Sequence, residues 1–492
     1  MTPFAKTGGL AEVLGYLPRA LARRGHRCAV IMPLYNSARS APVPVEPTDH
    51  QFRIPIGTYH VSGRLWRSRL PDSEVPVYLV EQPGYFGRDD PAAGFGLYQY
   101  KLPAGGALVD YEDNAARFIF FCRAVLEAVP ALDFRPDVLH LNDWQTALIP
   151  AYWREMYASR PGYDSMGTLY TIHNLAYQGV FDPSVMPLTG FDWRLFNWQE
   201  LEFHDRLNFM KAGIVFADLL STVSPRYAVE IQTPEYGCLL DDVLRHHQDR
   251  LVGIVNGVDY QVWNPLQDSH LAANYDAATV AEGKAACKAA LQRRLGLPER
   301  PGTPLVVTIS RLTEQKGFDL IRASAAEWLG GDVQFAVLGV GDAVYHRFLG
   351  DLARRYPENV AAVLAFDEVL AHQMEAGGDL FLMPSRFEPS GLNQLYSLRY
   401  GTVPLVRATG GLADTVVDCT PKALADGTAT GFVFAEYTAP ALLATLHRAL
   451  WVYRSQPETW RRLQRTGMQQ DWSWDRRAVD YEALYQRMAS KG

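Results

Sequence analysis

The sequence lacks any apolar run long enough to cross a bilayer, which takes about 18 residues or more, so no membrane span is expected. It has no basic excess. The formal net charge is −7 over 492 residues, which argues against a nucleic-acid or anionic-membrane surface. Cysteine is scarce: Cys28, Cys122, Cys238, Cys287 and Cys419 are odd in number and scattered. That excludes a disulfide framework and metal-ligand spacing, and fits a reducing cytosol. No His, Cys or carboxylate group has the spacing of a metal site. There is no Gly-x-Ser-x-Gly elbow and no kinase-type glycine loop. No signal-type apolar segment follows Met1-Thr2-Pro3-Phe4-Ala5-Lys6, and no short repeat stands out.

What is present is a soluble-protein balance, 48% hydrophobic and 21% charged, on a chain too long for a single core. Short apolar strands alternate with amphipathic helices, which predicts α/β layers around parallel sheets. Leu10, Val13, Leu14, Leu17 and Leu21 recur at helical spacing, and Gly25 closes that segment. Cys28–Met32, Val138–Leu141, Leu169–Ile172 and Leu219–Val223 read as strands of a first domain. Leu305–Ile309, Val333–Leu338, Leu380–Met383 and Val403–Val406 read as a second, doubly wound set. Asn-Gly and Asn-Pro break the pattern between Asn256 and Pro265, so the boundary is placed there. Ala478, Tyr481, Leu484, Tyr485 and Met488 share one face of a final helix. The expected domains are 1–258, 259–470 and a terminal helix over 471–492.

Five segments carry candidate chemistry, four of them directly after strands, where ligands sit in such sheets. Lys6-Thr7-Gly8-Gly9-Leu10 opens a helix. Its glycines allow close backbone approach, the helix start favours phosphate, and Lys6 adds charge. Alone, it is equally a glycine turn beside a solvated lysine. Ser310-Arg311-Leu312-Thr313-Glu314-Gln315-Lys316-Gly317 puts two cations where a diphosphate would lie. Two satisfied surface charges are the commoner fate of such a pair. Pro384-Ser385-Arg386-Phe387-Glu388-Pro389-Ser390-Gly391-Leu392-Asn393-Gln394 presents a carboxylate that can accept hydroxyl protons, or that merely favours a helix start. Thr409-Gly410-Gly411-Leu412-Ala413-Asp414-Thr415 repeats the Gly-Gly-Leu device and could cradle phosphate. Tyr170-Thr171-Ile172-His173-Asn174 brings His173 near Asp143, which follows a neighbouring strand. Phe191, Trp193, Phe196 and Trp198 could stack on sugars, although core packing is expected for most of them.

Together these motifs resemble the bacterial glycogen synthase and plant starch synthase family. The resemblance runs nearly end to end, and Tyr111-Glu112-Asp113-Asn114, Thr233-Pro234-Glu235-Tyr236-Gly237 and Asn256-Gly257-Val258-Asp259 extend it. It implies two facing Rossmann-like domains, the GT-B glycosyltransferase architecture, with the last helix crossing back to the N-terminal domain. It implies transfer of glucose from ADP-glucose to the non-reducing end of an α-1,4-glucan (glycogen, starch or maltooligosaccharide), with retained anomeric configuration. No cofactor or metal, nucleic-acid partner or membrane is implied, and the compartment would be the cytoplasm, or a plastid in a plant or alga. By resemblance Lys6, Arg311 and Lys316 contact donor phosphates. His173, Asn256 and Glu388 line the glucose subsite, and Asp143 lies near the reacting centre. Gly8, Gly9, Ser390, Gly391, Leu392, Gly410, Gly411, Leu412 and Thr415 complete the donor site. His173, Asp143, Arg311, Lys316 and Glu388 form the expected catalytic set.

The chain departs from the family in places. Relatives begin with a strand ending in Ser-Glu, upstream of Lys-Thr-Gly-Gly. Its absence here implies exposed neighbouring strand edges and a weakened domain, with the true start upstream or this form compromised. Glu12 replaces the usual Asp, Ser390 the usual Cys, and Asn142 and Gln145 two frequent His. Cys238-Leu239-Leu240-Asp241-Asp242 replaces a more glycine-rich loop, which leaves acceptor preference open. Two other readings stand beside the synthase: a catalytically silent glucan-binding relative, and a transferase using UDP-glucose.

Overall fold

The structure is a computed structural model and describes residues 1–6, 8–102, 108–163, 166–329 and 331–489. Thr7, inside the first glycine motif, lies outside the described residues. The chain divides into two compact units. One holds Met1–Val223, Ala228–Gly257 and Trp474–Gly492; the other holds Ser224–Tyr227 and Val258–Ser473.

In chain order the first unit's strands are β1 (Val30–Pro33), β2 (Glu46–Ile56), β3 (Tyr59–Arg69), β4 (Pro76–Glu81), β5 (Gln99–Lys101), β6 (Leu108–Asp110) and β7 (Val138–Asn142). They continue with β8 (Gly167–Ile172), β9 (Val180–Phe181), β10 (Glu202–Phe203), β11 (Arg206–Asn208), β12 (Leu219–Thr222) and β13 (Leu251–Gly253). The strands that carry the motifs form a parallel sheet in the order β13-β12-β8-β7. A second sheet runs β1-β4-β3-β2, parallel only between β1 and β4. Its antiparallel β2–β3 hairpin departs from the all-parallel expectation. Phe52, Ile54 and Ile56 are buried at alternate positions and Gly57 turns the chain at φ 59°, so the ladder follows from strand alternation closed by a two-residue loop. β1 also starts two residues later than expected and includes Pro33, which sits at its end beside Val80.

The first unit's sheets end at β1 and at β7, which have no strand on their outer sides among the described residues. Between those edges lies a cavity of about 560 Å³, lined by Val30, Met32, Leu139, Leu141, Leu14 and Tyr485 among others. The helix Gly9–Arg23 closes one side. It buries Val13, Leu17, Ala20 and Leu21 against Leu169, Leu219 and the C-terminal helix Trp474–Ala489. That last helix packs on the first helix and on β7 and β8.

The second unit is one parallel sheet of β14 (Leu305–Ile309), β15 (Gln334–Leu338), β16 (Val360–Val363), β17 (Leu380–Met383), β18 (Val403–Arg407) and β19 (Phe432–Phe434). Their order is β16-β15-β14-β17-β18-β19. Strands such as Leu305–Ile309 and Leu380–Met383 are apolar almost throughout because both faces are covered by helices. The strand order reverses between β14 and β17. In such sheets the crevice beyond the carboxyl ends at that reversal is where ligands bind.

Candidate active site

In the first unit the candidate residues collect beyond the carboxyl ends of β7, β8 and β13. Asp143 follows β7 directly and adopts φ 57° with ψ −178°, a positive-φ, extended-ψ conformation that costs energy in any residue bearing a Cβ and clusters at functional sites. The turn is held by Thr146, whose Oγ1 accepts from Asn142 N at 2.7 Å, while Asp143 N donates to Thr171 O at 3.0 Å. Asp143 Oδ1 accepts from His173 N at 2.8 Å. Burial raises the Asp143 carboxyl to about 7, against the opposing effect of its backbone hydrogen bonds. His173 is buried, and burial followed by the neighbouring His140 lowers its imidazole to about 3.

The neutral ring has a defined tautomer. Asn142 Nδ2 faces His140 O at 3.4 Å, which directs its Oδ1 to His173 Nε2 at 2.9 Å. Nε2 therefore carries the proton and Nδ1 the lone pair, suited to accept from a hydroxyl. Asn256, beyond β13, is 4% exposed, and its Oδ1 meets no hydrogen-bond partner. A buried acceptor left unmet costs free energy, and a ligand hydroxyl would satisfy it. Lys6 is half-exposed and ion-paired to Glu12 at 2.6 Å. Gly8 is extended, with open space where a Cβ would stand. Gly9 begins the first helix.

In the second unit the loops after β14, β17 and β18 meet at the strand-order reversal. Lys316 and Glu388, 72 positions apart, form an ion pair at 2.5 Å, and both are largely buried. Ser385 Oγ supports the same carboxylate oxygen at 3.2 Å. Gly317 turns the chain at φ 79°, and a Cβ there would stand 2.1 Å from Pro384 O; only glycine lets these two loops touch. Arg311 is exposed and donates to Gln315 at 3.2 Å. One cationic side chain, that of Lys316, thus stands against the buried acid.

The Gly410–Thr415 helix is pressed onto the Glu388 loop. Gly411 N donates to Glu388 O at 3.1 Å. A Cβ on Gly410 or Gly411 would fall 2.0 Å from the carbonyl oxygens of Glu388 or Ser390. Leu412, within this helix, is fully buried. Thr415 Oγ1 donates to Gly411 O at 2.6 Å and accepts from Gln394 at 3.3 Å. The Thr415 hydroxyl is therefore engaged inside the protein, and this segment shapes the Glu388 loop. Ser390 Oγ is buried without a partner, Gly391 turns at φ 70°, and Leu392 leads into the helix Asn393–Tyr400.

Sequence reasoning missed three supporting residues. Asn142 orients His173, Ser385 supports Glu388, and Gln394 bridges Ser390, Gly391 and Thr415. Ser385 and Gln394 both lie within the segment 384–394, but nothing in their spacing separates them from ordinary polar loop residues. Among the described residues no group of three or more His, Cys, Asp or Glu is placed to hold a metal ion.

Residues 1–246 match the family model described as starch synthase catalytic domain, and residues 293–462 match glycosyl transferases group 1. A glycogen synthase of Anaeromyxobacter sp. is 49% identical, covering 100% of this chain and 98% of its own. One from Rhodopirellula baltica is 46% identical, covering 99% and 96%. The catalytic domain of starch synthase IV from Arabidopsis thaliana, solved with ADP and acarbose, is 33% identical and aligns with a TM-score of 0.88 over 100% of this chain and 98% of that one. A sucrose-phosphate synthase from Thermosynechococcus elongatus, 17% identical at a TM-score of 0.59, shares the fold. With parallel α/β sheets in both units and relatives matched along the whole length, the chain belongs to the glycogen synthase and starch synthase family of GT-B glycosyltransferases.

Proposed function

We propose that this glucosyltransferase of glycogen or starch synthesis moves glucose from ADP-glucose to the non-reducing end of an α-1,4-glucan, with retention at the anomeric carbon. The observation that carries the reading is the Lys316–Glu388 pair at the strand-order reversal. It sets a cation for phosphate beside a carboxylate for sugar hydroxyls. Support comes from the relatives named glycogen synthase and from the starch synthase solved with ADP and acarbose.

In this mechanism the bond between C1 and the diphosphate oxygen breaks while the acceptor hydroxyl approaches from the same face. That hydroxyl's proton passes to the departing phosphate oxygen as its own oxygen bonds C1. Arg311 and Lys316 stabilise the negative charge that grows on the diphosphate, an effect realised in the transition state. Neither a cofactor nor a metal is required for that neutralisation. His173 Nδ1, Asn256 Oδ1 and Glu388 accept from glucose hydroxyls, and Asp143 lies near the reacting carbon. The setting is the cytoplasm, and no helix among the described residues is long and apolar enough to cross a membrane.

The test is incorporation of labelled glucose into glycogen from ADP-glucose or UDP-glucose, with and without a chelator. ADP-glucose should be the better donor and chelation without effect. Lys316→Ala should lower kcat by about 100- to 1000-fold, the usual loss on removing one such stabilising group, with a far-UV circular dichroism spectrum like the parent's at the assay temperature. No transfer from either sugar nucleotide would favour the silent glucan-binding reading.

A further inference from the structure

Aromatic side chains in the segment 191–198 divide sharply in the structure. Phe191 is buried and stacks on Tyr152 with ring centroids 4.3 Å apart. Trp193 and Trp198 are 55% and 74% exposed. Among the described residues the only other tryptophan so exposed is Trp451, in the second unit. The expectation of core packing fails for these two indoles.

The backbone beneath them is held firmly. Leu195 and Leu201 are buried on either side of Trp198, and Leu201 N donates to Leu195 O at 3.1 Å. Asn197 Nδ2 donates to Arg194 O at 2.7 Å and to Glu200 at 2.6 Å. Lys211, 4% exposed, extends its Nζ to the carbonyl oxygens of Trp198 and Glu202, each at 2.5 Å. A buried lysine committed to two main-chain carbonyls fixes the loop while both indoles point to solvent. Phe196 meets the Trp193 ring edge-to-face at 5.6 Å, which further orients it.

We propose that Trp193 and Trp198 form an auxiliary platform that holds outer chains of a polymeric α-1,4-glucan. This rests on the glucan-synthase reading above. A glucosyl ring offers C–H groups on one face and hydroxyls around its edge. It therefore suits a flat apolar plate with hydrogen-bonding groups at the rim. An indole supplies that plate and an N–H, and Asp192, Gln199 and Glu200 flank the two rings in sequence. Apolar plates set among polar residues differ from the contiguous apolar patch that marks a protein partner. Pre-ordering the loop lowers the entropy cost of binding. A tethered polymer then presents its chain ends at raised effective concentration.

The experiment compares the full chain with Trp193→Ala, Trp198→Ala and the double variant, with Trp451→Ala as control. Retardation in native gels containing glycogen is measured beside kinetics on glycogen and on maltotriose. The double variant should lose about tenfold in glycogen affinity, the loss of one anchoring contact. KM for glycogen should rise similarly, with maltotriose and ADP-glucose constants within about twofold and Trp451→Ala retarded like the parent. Unchanged retardation in a double variant that melts like the parent overturns the platform. So does an equal loss on maltotriose, which would place the indoles at the reacting chain end. A change of oligomeric state by light scattering would make the patch a contact between copies, also overturning it. Failure of the parent to elongate maltotriose would refute the synthase reading separately, since gel retardation needs no turnover.

Discussion

At Asp143, one residue combines a positive-φ backbone, burial and a hydrogen bond from the backbone of His173. Because burial raises its carboxyl to about 7 from 3.8, the folded protein keeps a proton that the unfolded chain releases. Folding stability from this group is complete below the unfolded value and is lost as pH rises towards 7. Asp143→Asn removes the titration and can keep an oxygen for His173 N. Its melting temperature relative to the parent should therefore climb between pH 4 and pH 8, measured by scanning fluorimetry. A constant difference across that range would show that Asp143 does not titrate this way. His173 behaves oppositely in sign, since a base held neutral by burial weakens the fold only as pH falls below the ordinary histidine range. The residue types at this site were readable in sequence because each follows an apolar run. Their partnerships were not: the hydrogen bond to Asn142 that fixes the His173 tautomer spans 31 positions, and nothing in local spacing announces it.

Among elements, the short Gly410–Thr415 helix packs directly against the Glu388 loop. In sequence the Gly-Gly looked like a phosphate cradle. In the structure its first consequence is steric, since the carbonyl oxygens of Glu388 and Ser390 occupy the space a methyl would need. Main-chain atoms cannot swing aside as a flexible side chain can. Gly411→Ala should therefore displace the loop and lower kcat/KM on the order of 100-fold, as misplacement by about 1 Å commonly does. Gly302→Ala, with nothing near its Cβ position, should match the parent in the same assay. The β2–β3 hairpin shows how an element can be legible yet missed. Phe52, Ile54 and Ile56 alternate and a glycine-containing loop follows, but a long run of apparent βα units invites a parallel reading. The helical stripe from Leu10 to Leu21 and the apolar strands of the second unit were plainer, because burial on one face or on both leaves a periodic record.

For the whole molecule, the C-terminal helix joins the last residues of the chain to the first unit. Trp474 is 3% exposed and lies where a Cβ on Gly257 would come within 2.6 Å. Farther along, Tyr485 OH bonds His140 Nδ1 of β7 at 2.9 Å. Trp474→Ala should cost the first unit about 3–5 kcal/mol through the cavity left behind. In a calorimetric scan one transition should fall while the other stays in place, since a chain with two cores need not unfold in a single step. Equal displacement of both transitions would count against this assignment. Composition, periodicity and motif order were enough to establish two α/β units and the family, because strand and helix patterns are local and five ordered motifs seldom coincide by chance. Only tertiary structure settled that Lys316 meets Glu388, that the glycine pair shapes a carboxylate loop, and that Trp193 and Trp198 face water. Contact and exposure depend on residues distant in the chain, and free energy of burial is decided by whatever the fold brings beside a side chain.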